Sequence, residues 1–185
     1  MTKAIFLDRD GVINKEVGYL HEVERLEFIP NSLESIKILV NSSYKIIIVT
    51  NQPVIGRGIC TEQQYLEFQN HMIKEIENAG GRIDKFYYCP HHPRHGKGDY
   101  LKECNCRKPK PGMLLQAKEK FNLDMENSWM IGDSRSDIKV GNVVGCKTIL
   151  VQTGNAGKGG DTDLDAKPNQ VCDNLYAAVE LILNR

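Results

Sequence analysis

Two aspartates one residue apart, Asp8 and Asp10, follow the apolar run Ala4-Ile5-Phe6-Leu7 and precede Gly11. The run reads as a short buried strand, which puts both carboxylates at its carboxyl end. In open α/β sheets ligands bind outside that edge, so the pair is placed for chemistry there. Carboxylates this close repel each other, and a hard cation such as Mg²⁺ relieves the repulsion. Complementary groups end other apolar runs: Thr50-Asn51, and Gly132-Asp133 with Asp137 one helical turn on. Asp137 could support a metal held by the other acids or cap its helix, and the supporting role is preferred. Lys108 precedes Pro109, which holds it extended, and the planar fork of Arg107 suits a second anionic or hydroxylated part of a ligand.

A separate set, Cys89 and His91 with Cys104 and Cys106, gives four soft-to-borderline ligands in two tight pairs. It suits a closed, structural Zn²⁺ site, although His92 and His95 compete on composition alone. From Pro90 to Lys110 no periodicity survives, and a loop of about 20 residues inside a compact domain needs something to hold it. Structural zinc, worth about 10–16 kcal/mol in small domains, is sufficient.

The elements that must position these groups alternate strand and helix. Strands are expected near Ala4–Leu7, Lys45–Thr50, Asp84–Cys89, Ser128–Asp133 and Thr148–Val151. Asn31 and Glu34 suggest a capping box for the first helix, and Thr61 and Gln64 one for the second. Pro111 suits the first turn of a third helix with Leu114, Leu115, Ala117, Lys118 and Phe121 on one face. A short helix reaches about Gly145, and a last one spans Asp173 to Asn184 after a Gly- and Asp-rich loop. Five strands in this alternation predict an α/β fold with a doubly wound, mainly parallel, Rossmann-like sheet, in one domain over 1–185 with a zinc-binding loop at 89–107. Gly154-Asn155-Ala156-Gly157-Lys158-Gly159 lacks the spacing and the Ser/Thr of a phosphate-binding P-loop and reads as a flexible loop.

Composition narrows the partners. The 185 residues carry 24 Lys+Arg and 24 Asp+Glu, so no basic excess points to nucleic acid. No run approaches membrane-spanning length, and Met1-Thr2-Lys3 leads directly into the first strand without an apolar signal region. A cytoplasmic monomer is expected, whose six cysteines are metal ligands or buried thiols rather than disulfides.

The apolar run into Asp8-Arg9-Asp10-Gly11 resembles the first motif of the haloacid dehalogenase-like phosphatases. That resemblance implies that Asp8 attacks phosphorus and Asp10 serves as general acid and base. Phosphoryl transfer explains the remaining residue types: an aspartyl-phosphate splits one hard hydrolysis into two easier steps, and Mg²⁺, fixed donors and a cation hold the phosphoryl charge. Asp133, Asp8 and the Asp10 carbonyl would hold Mg²⁺, and Thr50 with the backbone after it would donate to the phosphoryl group.

The motifs Asp-Arg-Asp-Gly-Val-Ile-Asn, Gly18-Tyr19, Thr50-Asn51-Gln52, Cys-Pro-His-His-Pro, Cys-Asn-Cys-Arg-Lys-Pro-Lys-Pro-Gly-Met and Gly-Asp together look like the D-glycero-D-manno-heptose 1,7-bisphosphate phosphatases, in the histidinol-phosphatase branch of that superfamily. The resemblance covers roughly Ala4 to Thr153. It implies removal of the 7-phosphate of a sugar bisphosphate during nucleotide-activated heptose synthesis, with no large cap domain. It also implies that Glu16, Val17, Gly18 and Tyr19, with Thr50, Asn51, Gln52 and Pro53, line the substrate, that Arg107 recognises it and that Lys108 steadies the phosphoryl group. Pro53 replaces a small residue found in many members, and Ser134 replaces a lysine. Two other functions fit parts of the pattern: histidinol-phosphate phosphatase, and a non-catalytic zinc-binding module that would not need Asp8, Asp10, Lys108 and Asp133 together.

Overall fold

The structure, a computed structural model, describes residues 1–158 and 165–184. Its centre is one parallel sheet built from β1 (Lys3–Leu7), β2 (Tyr44–Asn51), β3 (Lys85–Cys89), β4 (Trp129–Gly132), β5 (Lys147–Val151) and β6 (Gln170–Cys172). The spatial order β3-β2-β1-β4-β5-β6 is that of a doubly wound nucleotide-binding sheet. Six strands replace the five expected, because β6 is only three residues long and two of them stay exposed, leaving little apolar signal.

Alternation along the strands divides the core into two layers. Ile5, Leu7, Ile46, Ile48 and Ile131 face one layer, where they pack with Ile36 and Leu39 of α1 (Ser32–Val40) and Leu175, Ala178 and Val179 of a C-terminal helix, Leu175–Leu183. Ala4, Phe6, Ile47, Val49 and Met130 face the other, against Met113, Leu114 and Ala117 of the helix Gly112–Phe121 and Val140 of the helix Arg135–Val143. Strands buried on both faces need continuous apolar runs, which is why β1 and β2 are so legible.

The remaining α-helices among the described residues, in chain order, are α2 (Pro53–Gly56) and α3 (Glu62–Asn78), so the three named above are α4 (Gly112–Phe121), α5 (Arg135–Val143) and α6 (Leu175–Leu183). The capping box of α3 forms as expected, Gln64 N donating to Thr61 Oγ1 at 3.1 Å and Thr61 N to Gln64 Oε1 at 2.8 Å. The box expected for α1 does not. Asn31 sits in left-handed backbone (φ 64°) with no side-chain cap, and Ser35 Oγ instead donates to its carbonyl at 2.6 Å. Leu115 also departs from expectation, being 43% exposed while Met113 takes the buried position. The turn-rich stretch after Asn51 opens with the four-residue α2, Pro53 fixing its first position. Residues 159–164 of the Gly- and Asp-rich lead to α6 lie outside the described residues, Gly159 of the loop that begins at Gly154 among them.

Register carries the function. Leu7 pairs with Ile48 on one side and Ile131 on the other, so the chain leaves β1, β2 and β4 at one level. Asp8, Thr50 and Asp133 therefore emerge at a common edge. Among the described residues no cap domain stands over that edge, and no helix is long and apolar enough to cross a membrane.

Candidate active site

Lys108 is the hub of that edge. Its ammonium, with a side chain 1% exposed, lies 3.0 Å from Asp8 Oδ1 and 2.6 Å from Asp137 Oδ1, and it donates to the Val49 carbonyl at 2.8 Å. The lysine reaches this position because its backbone is tied to the end of β2. Lys108 N donates to Asn51 Oδ1 at 2.9 Å, and Asn51 Nδ2 donates back to the Lys108 carbonyl at 3.0 Å. The peptide bond that follows, Lys108–Pro109, is cis.

Asp8, Asp133 and Asp137 present carboxylate oxygens that all lie within 4.8 Å of one another. Asp137 is committed to protein groups: besides Lys108 it accepts from Ser134 N at 3.1 Å and Ser134 Oγ at 2.6 Å, closing a capping box on α5. It thus caps the helix and anchors the lysine at once. Asp133 Oδ2 accepts from Asn155 N at 2.7 Å and Asn155 Nδ2 at 3.0 Å. Two glycines crowd that carboxylate. A Cβ at Gly11, φ +79°, would lie 2.2 Å from Asp133 Oδ2, and one at Gly154, φ +62°, would lie 2.3 Å away. Burial, then repulsion from Asp137, pushes Asp133 up to about 7, and the same two causes raise Asp8 well above the carboxylate range. Burial works against Lys108 as a cation, yet Asp137 and Asp8 outweigh it and hold its pKa above the ordinary lysine value. One lysine among three acids leaves a net negative, oxygen-only cluster, the donor set a hard divalent cation takes.

Asp10 is set apart from that trio. Its carboxylate accepts from Arg9 Nε and Nη2, from Asn14 Nδ2 at 2.9 Å and from Gln52 Nε2 at 2.8 Å. Gln52 also donates to Thr50 Oγ1 at 2.9 Å, so it links two groups of the site. A cleft of about 450 Å³ opens between these residues, walled by Asp8, Asp10, Glu16, Gly18, Tyr19, Leu20, Thr50, Asn51, Gln52, Pro53, Arg107, Lys108, Asp133, Ser134, Ser136 and Asn155. Val17, expected on this wall, is not part of it; its carbonyl instead accepts from Arg25 Nη2 at 3.0 Å. The carboxylate of Asp10, engaged as described, also stands outside the acid trio, leaving only its carbonyl for the metal position expected of it.

The cysteine and histidine pairs meet as well. Cys89 Sγ lies 3.1 Å from Cys106 Sγ and 3.5 Å from Cys104 Sγ, Cys104 and Cys106 are 3.3 Å apart, and His91 Nδ1 is 3.4 Å from Cys106 Sγ. Such a close set of three sulfurs and one ring nitrogen could bind zinc, whose tetrahedral bonds are about 2.0–2.3 Å long. The Cys89 hydrogen bond pulls the Cys106 thiol down to about 5, while the same contact and burial push the Cys89 thiol up. His92 and His95 stay outside the cluster and pack against each other, ring centroids 4.7 Å apart and planes tilted by 46°. Since Arg107 and Lys108 follow Cys106 directly, the cluster fixes where the basic pair begins.

An oxyanion beside an ammonium, with a divalent-cation donor set and an adjacent carboxyl on a polar cleft, is equipped for phosphoryl transfer. Comparison with known proteins agrees. The family model described as HAD-hyrolase-like matches residues 105–178. A D-glycero-beta-D-manno-heptose-1,7-bisphosphate 7-phosphatase from Pasteurella multocida is 46% identical over 155 residues, 83% of this chain and 84% of the relative. This chain belongs to the heptose-1,7-bisphosphate 7-phosphatase family. A D-glycero-alpha-D-manno-heptose-1,7-bisphosphate 7-phosphatase from Photorhabdus laumondii, also in that family, is 41% identical over 83% of this chain and 84% of its own. The crystal structure of D,D-heptose 1,7-bisphosphate phosphatase from B. bronchiseptica, complexed with magnesium and phosphate, is 30% identical, covers 99% of both chains and has a TM-score of 0.85.

The structure adds Arg9 and Asn14, which bond Asp10, and Ser136 and Asn155 on the cleft wall, none of which was expected from the sequence. Arg9 carried a signal: a charged residue between two acids directly after a buried strand needs partners. Asn155 carried none, because it lies in a glycine-rich loop far along the chain.

Two measurements test this geometry. Purified protein should hold about one tightly bound zinc per chain by elemental analysis, and Cys104→Ser should abolish it and disorder the loop; zinc-free protein of full stability would contradict the cluster. The second concerns pH. A folded Asp133 raised to about 7, against about 4 in the unfolded chain, binds more protons when folded, so its stabilising contribution is whole below pH 4 and lost as pH rises through 7. Without Mg²⁺ the melting temperature should therefore fall between pH 5.5 and 8. Millimolar Mg²⁺ or Asp133→Asn should flatten that fall, and a slope untouched by both would refute the assignment.

Proposed function

We propose that this chain is a Mg²⁺-dependent phosphohydrolase that removes the 7-phosphate of D-glycero-D-manno-heptose 1,7-bisphosphate through an aspartyl-phosphate on Asp8. The observation that carries this reading is the salt-bridged Lys108 between Asp8 and Asp137, beside Asp133. Phosphoryl transfer through an aspartyl-phosphate needs a carboxylate nucleophile, fixed positive charge and a metal position at one point, and these residues bring all three together.

Asp8 attacks phosphorus as the bond to the sugar oxygen breaks. The electron pair of that bond stays on the leaving oxygen, which takes a proton from Asp10. Asp10 then accepts a proton from the water that hydrolyses the aspartyl-phosphate, regenerating Asp8. Asp8, Asp133 and the Asp10 carbonyl would hold Mg²⁺, with Asp137 bracing them through Lys108 and Ser134. Bound there, Mg²⁺ neutralises charge on the phosphoryl oxygens. Lys108 and the Thr50 hydroxyl steady the same group, while Glu16, Gly18 and Tyr19 border the sugar.

A second chamber of about 540 Å³ adjoins the cleft and shares Asn51, Arg107, Lys108 and Ser136 with it; His92, Arg94 and His95 contribute to its wall. Glu103 also lines it but is paired with Lys110, so Arg94 and Arg107 leave the wall cationic, which suits a second phosphate and opposes the amine of histidinol phosphate. Relatives named for the beta and for the alpha anomer match at similar identity, 46% and 41%. None of the six cysteines is in a disulfide, which fits a reducing compartment, so we place the enzyme in the cytoplasm; we also take it to act as a monomer.

Asp8→Asn should leave the fold intact and abolish turnover, since an amide cannot accept the phosphoryl group; near-normal phosphate release with Mg²⁺ would overturn the mechanism. Arg107→Ala should lower kcat/KM for the bisphosphate by about 10–150-fold, the worth of a charged hydrogen bond, and a small monoester far less. Lys108→Ala should slow both. Equal losses on both substrates for Arg107→Ala would move that residue to the reaction centre.

A further inference from the structure

Arg9 is fully buried directly beneath the cleft, and nothing in the mechanism above uses it. Its guanidinium lies between two rings of α3, 5.7 Å from the Tyr65 centroid and 5.2 Å from that of Phe68. Nη1 donates to Tyr65 Oη at 3.4 Å and Nη2 to the Leu20 carbonyl at 3.2 Å. The rest of its hydrogen bonding goes to Asp10. Nε donates to Oδ1 at 3.1 Å, and Nη2 donates to Oδ1 and Oδ2, each at 2.8 Å.

A buried arginine is costly unless its charge is satisfied, and a point charge would have met that need with one contact. The planar fork instead engages both oxygens and removes the rotational freedom of the carboxylate. Asn14 adds a third contact to Oδ1, at 2.9 Å. Oδ2 takes fewer contacts, and its other donor, Gln52, borders the cleft. The two oxygens are thereby made unequal.

We propose that Arg9 is a positioning residue for leaving-group departure, fixing Asp10 so that Oδ2 is the atom that carries and delivers the proton. In that step the phosphorus–oxygen bond to the substrate breaks as the bond from Asp8 forms, and the proton passes from Asp10 Oδ2 to the departing oxygen. The proposal rests on the phosphatase reading above and adds the residue that aims its acid.

The test uses two monoesters of similar size and opposite leaving-group quality, benzyl phosphate and p-nitrophenyl phosphate. Departure of p-nitrophenolate needs no proton, whereas departure of benzyl alcohol does. The ratio kcat/KM covers steps only through leaving-group departure, so later hydrolysis of the aspartyl-phosphate does not enter it. Arg9→Met should lower kcat/KM for benzyl phosphate by about 10²–10³-fold, the scale of general acid help, and for p-nitrophenyl phosphate by less than about tenfold. Arg9→Lys, which keeps the charge and loses the fork, should show the same selectivity with a smaller loss. Equal losses on both esters, no loss on either, or failure of both variants to fold would make Arg9 a scaffold residue and overturn the proposal. A wild-type chain hydrolysing neither ester with Mg²⁺ would instead overturn the phosphatase reading beneath it.

Discussion

A lysine ammonium sealed among carboxylates at a sheet edge is the constraint on which the rest depends. Lys108 comes from a loop, and its ammonium would be expensive to bury without Asp8 and Asp137 on either side. Those two acids belong to different parts of the chain, one leaving β1 and one in the first turn of α5. Their meeting point exists only if β1 and β4 pair in the register observed, Leu7 beside Ile131. Sheet register, helix capping and the loop's path are thus tied through one charge.

The acids outnumber that cation, and the excess is concentrated rather than dispersed. Asp133 is crowded by the backbone of Gly11 and Gly154, which keeps bulk away from its Oδ2, while Asn155 supplies neutral donors in place of a second lysine. Asp10, two residues from Asp8, is matched to its own buried cation. The edge therefore holds a neutralised carboxylate next to a cluster whose negative charge remains, and this contrast lets two nearby aspartates take different chemical parts.

Much of this was legible in the sequence because the determinants are local. Apolar runs ending in Asp8-Arg9-Asp10, Thr50 and Asp133 give strand ends, and winding rules bring those ends together. The three-residue β6 and the left-handed Asn31 were not legible, since neither has an apolar or capping pattern strong enough to compete with its surroundings. Val17 does not border the cleft, and side-chain direction within an irregular segment has no periodicity from which that could be read. Asn155 and Ser136 escaped for a different reason: each acts through position alone, and a lone amide in a loop or a lone hydroxyl in the first turn of α5 looks the same whether or not it borders the cleft.

The cysteine–histidine cluster joins residue 89 to residue 106 like the neck of a drawstring bag. With the neck closed, the chain between the two pairs is a loop whose ends are held about one metal site apart, and the free energy of closing such a loop rises only with the logarithm of its length. Residues can be added or removed there at small cost, while Arg107 and Lys108, just outside the neck, keep their place. The chamber wall that this loop supplies through His92, Arg94 and His95 thus hangs from the far side of that neck, away from the carboxylates of the reacting centre. One closure thus separates what must stay constant for phosphoryl transfer from what can vary to suit a new ligand.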